Sequence, residues 1–163
     1  MAVAKAKPIP DLTAEAPYAE AAAKIVAVRG SELAEQAQGV LDTGDIERVH
    51  DMRVATRRLR AALEIFEPCF PDKAYGQALT EVKRLADALG ERRDRDVAIA
   101  TLHGFNDQMA APDRRGIASL IQQLRTEQEE ANESLAPLVS EENLKALRES
   151  MAELVSGAPG AAA

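Results

Sequence analysis

The chain has 163 residues, of which 46% are hydrophobic but only 3% aromatic, and a formal net charge of −7. That length fits one domain with a modest core, and the negative charge argues against a general nucleic-acid-binding protein, because non-specific phosphate contacts need a basic surface. A single cysteine, Cys69, excludes a disulfide framework and a thiolate metal cluster, and no apolar run is long enough to cross a bilayer. We therefore expect a soluble, cytoplasmic protein with no cofactor, no metal and no membrane partner.

Three stretches of the chain differ in composition. Residues 1–11 contain proline and lack apolar periodicity, so we expect a mobile arm there, and residues 156–163 are expected to form a disordered tail. Residues 12–155 are rich in Ala, Glu, Leu and Arg and show helical spacing of apolar residues without any strand pattern. They predict an all-α domain, an antiparallel helical bundle of about five to six helices joined by short loops.

Glycine and proline mark the breaks between the first predicted helices. The first helix is expected from about Thr13 to the turn that starts at Asp42. The second starts after Asp45 and stops at the prolines of "EPCFP". The third is expected from about Asp72 to Gly90, because a glycine at the end of a helical pattern predicts an αL C-cap.

Three further helices are predicted in the rest of the chain. The fourth opens with "ERRDRDV", where Arg93 shares a helical face with Val97 and has Asp96 one turn on. This spacing predicts an inward-facing Arg93–Asp96 pair. The fifth helix is expected from about Arg114 to Leu135, and a short sixth helix follows the next proline.

The second predicted helix combines an apolar stripe with a column of cations. On a helical wheel the apolar stripe consists of Met52, Ala55, Leu59, Ala62, Leu63 and Phe66. The basic column, spaced 3, 4 and 3 residues apart on another face, consists of His50, Arg53, Arg57 and Arg60. Like charges at these spacings repel, and no acid is interleaved to relieve them. A neutralising group outside the helix is therefore expected, and guanidinium groups suit a row of phosphates or carboxylates.

Two less specific interpretations of the basic column remain open. A charged helix face is often only a solvated face, and a lone histidine such as His50 is more often structural than functional. Acids of another helix could also neutralise the column, since residues 127–153 carry eight glutamates against one lysine and one arginine. The protein would then be a helical scaffold or interaction protein whose arginines form internal salt bridges.

Two stretches of the sequence resemble the signatures of one protein family. "VHDMRVATRRLRAALEIF" is similar to the first signature of the CHAD family, the conserved histidine α-helical domain, and "LADALGERRDRDV" resembles its second signature. Both lie within residues 47–102, in the order and at about the separation found in that family. The resemblance implies a fold of helical bundles with a groove or channel of basic residues that binds inorganic polyphosphate, and an association with polyphosphate granules.

The resemblance also implies which residues line that groove. The implied polyphosphate-binding residues are His50, Arg53, Arg57, Arg58, Arg60, Lys83 and Arg93. Lys83 is preferred to Arg84 because Lys83 sits at the edge of the apolar face of its helix. Arg93 could instead serve in ion pairing that fixes the groove wall. Because several cations would contact successive phosphates, affinity is expected to fall with salt and to rise as His50 becomes protonated.

The second part of the sequence departs from the family pattern. Members usually continue into a second helical half that supplies more basic residues, whereas here the chain becomes acidic. One expectation is a half-domain that binds through an open groove, and another is a homodimer whose basic columns face a shared cavity. The acidic helices could also fold over the groove.

Neither catalysis nor nucleic-acid binding is expected. Asp94 and Asp96 form a DxD pattern that could hold Mg²⁺ over a phosphate, with His50 as a general acid. Phosphoryl-transfer sites usually also have a phosphate-binding loop, and no GxxxxGK[ST] run occurs here. We therefore predict no catalytic residue and no metal ligand. The few aromatic residues offer little stacking surface for single-stranded nucleic acid.

Overall fold

A computed structural model describes residues 5–159, and in that range the chain forms five α-helices and no strand. The helices are α1 (Tyr18–Gln36), α2 (Ile46–Ile65), α3 (Asp72–Asn106), α4 (Ala111–Leu135) and α5 (Glu141–Ser156). Short 3₁₀ turns follow α2 at Glu67–Cys69 and α4 at Ala136–Val139. The predicted all-α fold is confirmed.

Helix α3 is the element around which the others pack. It contacts α2, α4 and α5, while α1 packs on α2 and α5. Helices α2 and α3 run antiparallel: Arg93, in the second half of α3, donates to the Ile46 carbonyl at the start of α2. Tyr75, near the start of α3, is affected by the charge of Glu64 near the end of α2. The arrangement is the helical bundle that the short loops predict.

The core is built mainly from aliphatic side chains and alanine. The stripe predicted for α2 lies in it: five of its six members are buried, and Phe66 is half-buried. Small residues let the helices approach closely. At Gly30 of α1, an added Cβ would lie 3.3 Å from Cγ of Met151 on α5, so a glycine here allows α5 to pack against α1.

The helix boundary predicted at Gly90 is wrong. Helix α3 continues through this glycine for 35 residues, a length of roughly 50 Å. The buried positions Leu85 and Leu89 are followed at the same spacing by Arg92 and Asp96, so one buried stripe crosses the glycine. A glycine inside a helix costs only about 1 kcal/mol relative to alanine, which packing along such a stripe outweighs.

The ends of α1 and α4 also differ from the prediction. Helix α1 begins at Tyr18 rather than near Thr13, because Pro17 disfavours helical geometry in the residue before it. It ends before Gly39, whose φ of 74° turns the chain toward α2. Helix α4 begins at Ala111, earlier than predicted, with a proline in its first turn, where the missing N–H costs nothing.

The predicted arm and tail lie partly outside the described residues, which exclude 1–4 and 160–163. Within the arm, the ammonium group of Lys7 pairs with Glu35 on α1, and its backbone N–H donates to Glu32 over 3.4 Å. The mobility of the arm stays a prediction. No helix in residues 5–159 has the length and apolar character needed to span a bilayer.

Candidate anion-binding site

The basic column lies where α2 meets α3, on a surface that we call the α2–α3 seam. At one end of the seam, Nη1 of Arg93 donates to the Ile46 carbonyl over 3.0 Å. Toward the other end, the charge of Asp87 on α3 acts on Arg60. Lys83 lies one turn before Asp87 on the same face of α3, so it belongs to the seam near the end of the column. The structure thus brings the predicted lysine to the predicted column.

Three members of the column have no protein partner within residues 5–159. His50 and Arg53 are half-buried and Arg57 is exposed, and none of them forms a hydrogen bond or an ion pair with another described residue. Lys83 is exposed and equally unpaired. Because like charges at these helical spacings repel and no carboxylate relieves them, an external anion would stabilise this surface.

Arg60, the last member of the column, is already neutralised. Its Nε lies 2.8 Å from Oε1 of Glu64, one turn on along α2. The hydrogen bond to Glu64, and more weakly the charge of Asp87, raise the pKa of Arg60 above its usual value. Both carboxylates compete with an external anion. The open part of the column is therefore the stretch from His50 to Arg57.

Arg58 and Arg93 are engaged with neighbouring helices. Nη1 of Arg58 donates to Oε1 of Glu32 on α1 over 3.0 Å, on the side of α2 away from α3. Besides its bond to the Ile46 carbonyl, Nη1 of Arg93 lies 3.6 Å from Oε1 of Glu47. Both arginines hold α2 against its neighbours, and either would have to leave a protein partner to bind a ligand. Their predicted contact with polyphosphate stays a prediction.

The predicted inward-facing pair of Arg93 and Asp96 is wrong, because the arginine that faces inward is Arg92. The side chains of Arg92 and Asp96 are both fully buried, with Nε and Oδ1 3.0 Å apart. Val97, which the prediction placed on the inner face, is 46% exposed. Continuing the buried spacing from Leu89 by three and seven residues would have identified both members of the true pair.

The buried Arg92 fixes the chain segment that leads into the column. Its Nη1 donates to Oδ1 of Asn132 on α4 over 2.5 Å, and its Nη2 lies 3.5 Å from the Asp42 carbonyl in the loop before α2. The amide of Asn132 in turn donates to the Leu41 carbonyl over 2.8 Å. The loop is therefore bound to α3 and α4, which holds the start of α2, and with it His50, in place.

The two carboxylates of the DxD pattern point to different faces of α3. Asp94 is exposed, whereas Asp96 is buried in the pair with Arg92. They do not converge on a common point. Among the described side chains, no group of three His, Cys, Asp or Glu residues is placed to hold a metal ion.

The acidic helix α4 lies on the other side of α3 from the seam. Arg95, which approaches Glu127 of α4 to 3.6 Å, is about 200° around α3 from Arg93, which contacts α2. Within the part of the chain that the structure describes, no acid of α4 or α5 pairs with the basic column. The neutralisation of the column by the acidic helices of the same chain is therefore not observed.

Comparison with known proteins identifies a family. No curated protein matches the chain. Residues 24–163, which include the whole seam, match the CHAD domain. This family is linked to polyphosphate-related proteins. The match covers nearly the whole chain and agrees with both signature-like stretches, so the chain belongs to the CHAD domain family.

Proposed function

We propose that this chain binds inorganic polyphosphate along the α2–α3 seam. The observation that supports this function best is the run of unpaired cations His50, Arg53 and Arg57, with Lys83 beside them on α3. The run extends over seven residues of one helix, roughly 10 Å. A polymer that carries a charge on every unit can contact several of these cations at once, and the helix holds them in place beforehand.

Binding of this kind depends on multiple charge-assisted hydrogen bonds and on the release of counterions. Each guanidinium group can donate two parallel hydrogen bonds to phosphoryl oxygens, and the ammonium group of Lys83 adds a point charge. With the coefficients known for nucleic acids, three to four such contacts predict that affinity falls roughly 20- to 150-fold between 50 and 200 mM salt. Arg60 would contribute only after it released Glu64.

No catalytic residue is assigned to the seam. The cations can hold a phosphate chain, but the carboxylates that could position Mg²⁺, Asp94 and Asp96, lie on different faces of α3. The polymer would therefore be bound and released unchanged. Association with polyphosphate granules would follow from binding the polymer that they contain.

The experiment that tests this function is a calorimetric titration with long-chain polyphosphate at two salt concentrations. The test variant is Arg53→Glu/Arg57→Glu. The control is Arg115→Glu/Arg148→Glu, which makes the same change in net charge at two exposed arginines of α4 and α5. We expect salt-sensitive binding by the unmodified chain and the control, and loss of binding in the test variant.

Equal loss of binding in both variants would mean that only net charge matters, and would contradict a site at the seam. Absence of binding by the unmodified chain would contradict the proposed function itself. Circular dichroism establishes that each variant keeps its helicity. A stoichiometry of two chains per bound segment would favour the homodimer with a shared cavity.

The contribution of His50 can be measured separately. Its half-buried ring lies in the column without a described partner, so protonation adds a cation where an anion is held. Affinity of the unmodified chain should rise on acidification, and His50→Gln should remove that rise. A rise of the same size in the variant would assign it to another group.

A further inference from the structure

A cavity of about 470 Å³ lies between the loop before α2, the second half of α3 and α4. This volume is within the range of small-molecule binding sites. Part of its wall is apolar, formed by Ile46, Ile99 and Ala100. The cavity is separate from the open cations of the seam, none of which lines it.

Buried in the wall of the cavity is a carboxylate oxygen without a hydrogen-bond donor. Asp96 is 1% exposed. Its Oδ1 accepts from Nε of Arg92 over 3.0 Å and from Nε2 of Gln128 over 2.5 Å. Its Oδ2 has no partner among the described residues. A buried acceptor left unpaired is costly, so an N–H group that entered the cavity would be stabilised there.

Two cationic or potentially cationic groups lie at the outer part of the same cavity. Nη2 of Arg125 on α4 is 3.5 Å from Nε2 of His103 on α3, and both residues are exposed. Neither forms an ion pair within residues 5–159. A phosphate between them could accept from both. Glu129 also lines the cavity, so the site suits one compact anion better than a long polyanion.

The separation of the two ends limits the class of ligand. Asp96 and His103 are seven residues apart on α3, roughly 10 Å along the helix. An α-amino acid is too short to place its ammonium and carboxylate groups at both ends. A nucleotide has the required order of groups, with N–H donors on the base, an apolar ring face and a phosphate at the far end.

We infer that this cavity is a second binding site, independent of polyphosphate, for a nucleoside monophosphate. The amino group of the base donates to Oδ2 of Asp96. The ring contacts the apolar wall at Ile99. The phosphate accepts from His103 and Arg125.

A titration with adenosine 5′-monophosphate tests this site, with adenosine and ribose 5-phosphate as the two halves of the ligand. The intact nucleotide should bind at least about tenfold more tightly than either half, since a hydrogen bond to a charged group contributes at each end. Arg125→Gln should weaken nucleotide binding by at least about tenfold. The control Arg115→Gln, at an exposed arginine outside the cavity on the same helix, should leave it unchanged.

Ile99→Trp provides a second variant, which fills the cavity without removing a charge. It should abolish nucleotide binding while helicity is kept. No binding by the unmodified chain, equal affinity for the nucleotide and ribose 5-phosphate, or full binding by Ile99→Trp would each overturn the inference. Arg53→Glu/Arg57→Glu should bind the nucleotide normally, so failure at the seam and failure at this cavity can be told apart.

Discussion

Replacing Arg92 by methionine should destabilise the fold by about 3–5 kcal/mol, the cost of breaking a fully buried ion pair by removing one partner. The Asp96 carboxylate would remain in the core with Gln128 as its one described donor. The Asn132 side chain and the Asp42 carbonyl would also lose a donor. These additional losses place the expected value in the upper part of the range.

Urea unfolding, followed by the helical circular dichroism signal, measures this loss. For a domain of this size each kcal/mol corresponds to about 2–4 °C in Tm, so thermal melting should shift by roughly 6–20 °C. Arg93→Met is the matched control at the next residue. Since it removes one bond to the Ile46 carbonyl and a partly exposed pair with Glu47, we expect a loss of about 1–2 kcal/mol.

The double variant Arg92→Met/Asp96→Leu separates the cost of an unpaired charge from the loss of packing. Replacing both members of a buried pair by apolar residues is often neutral or stabilising, so the double variant should recover at least half of the stability that Arg92→Met loses. A loss below about 1 kcal/mol in Arg92→Met, or additive losses in the double variant, would refute the reasoning.

Gly90, Tyr75 and Ser140 each allow a test at a single residue. Gly90→Ala should stabilise by about 0.5–1 kcal/mol in urea unfolding, because an added Cβ meets no atom within 4 Å and alanine favours the helix; a lower urea midpoint would reveal a packing role for the glycine. Burial, and secondly the charge of Glu67, raise the pKa of Tyr75, so the stability that the neutral phenol contributes is complete below about pH 10 and is lost as pH rises through the raised value. Thermal melts above pH 10 should therefore fall less steeply in Tyr75→Phe, and an unchanged slope would exclude this tyrosine as the cause. Ser140→Ala should cost about 0.5–2 kcal/mol in urea unfolding, because Oγ accepts from the Asn143 N–H at 3.2 Å and caps α5; no measurable loss would mean that water replaces the cap.

The sequence predicts the helices of this fold better than it predicts their ends. Helical spacing correctly places the stripe from Met52 to Leu63 in the core, since burial of one face repeats at every turn. Gly90 is misjudged because a local helix-ending signal is weaker than a buried stripe that continues on both sides. Such continuity becomes visible only when the whole of α3 is placed on one wheel.

The candidate site shows a similar division between local and long-range information. The column from His50 to Arg60 follows from spacing along a single helix, and the bond from Arg60 to Glu64 spans one turn of it. The pairing of Arg58 with Glu32 could not be predicted, because it depends on which face of α1 lies against α2. Ion pairs between helices require the packing arrangement, which composition and periodicity leave undetermined.

The separation of charge across α3 has a consequence for the polymer as a whole. If polyphosphate lies along the seam, the glutamates of α4, on the far side of α3, face away from it. A polyphosphate chain covered by this protein would therefore present a second negatively charged surface to its surroundings. Such coated chains would repel one another over about 10 Å at 0.1 M salt. A protein that was basic on all sides would cross-link polyphosphate into a dense phase, whereas this one should keep its strands apart.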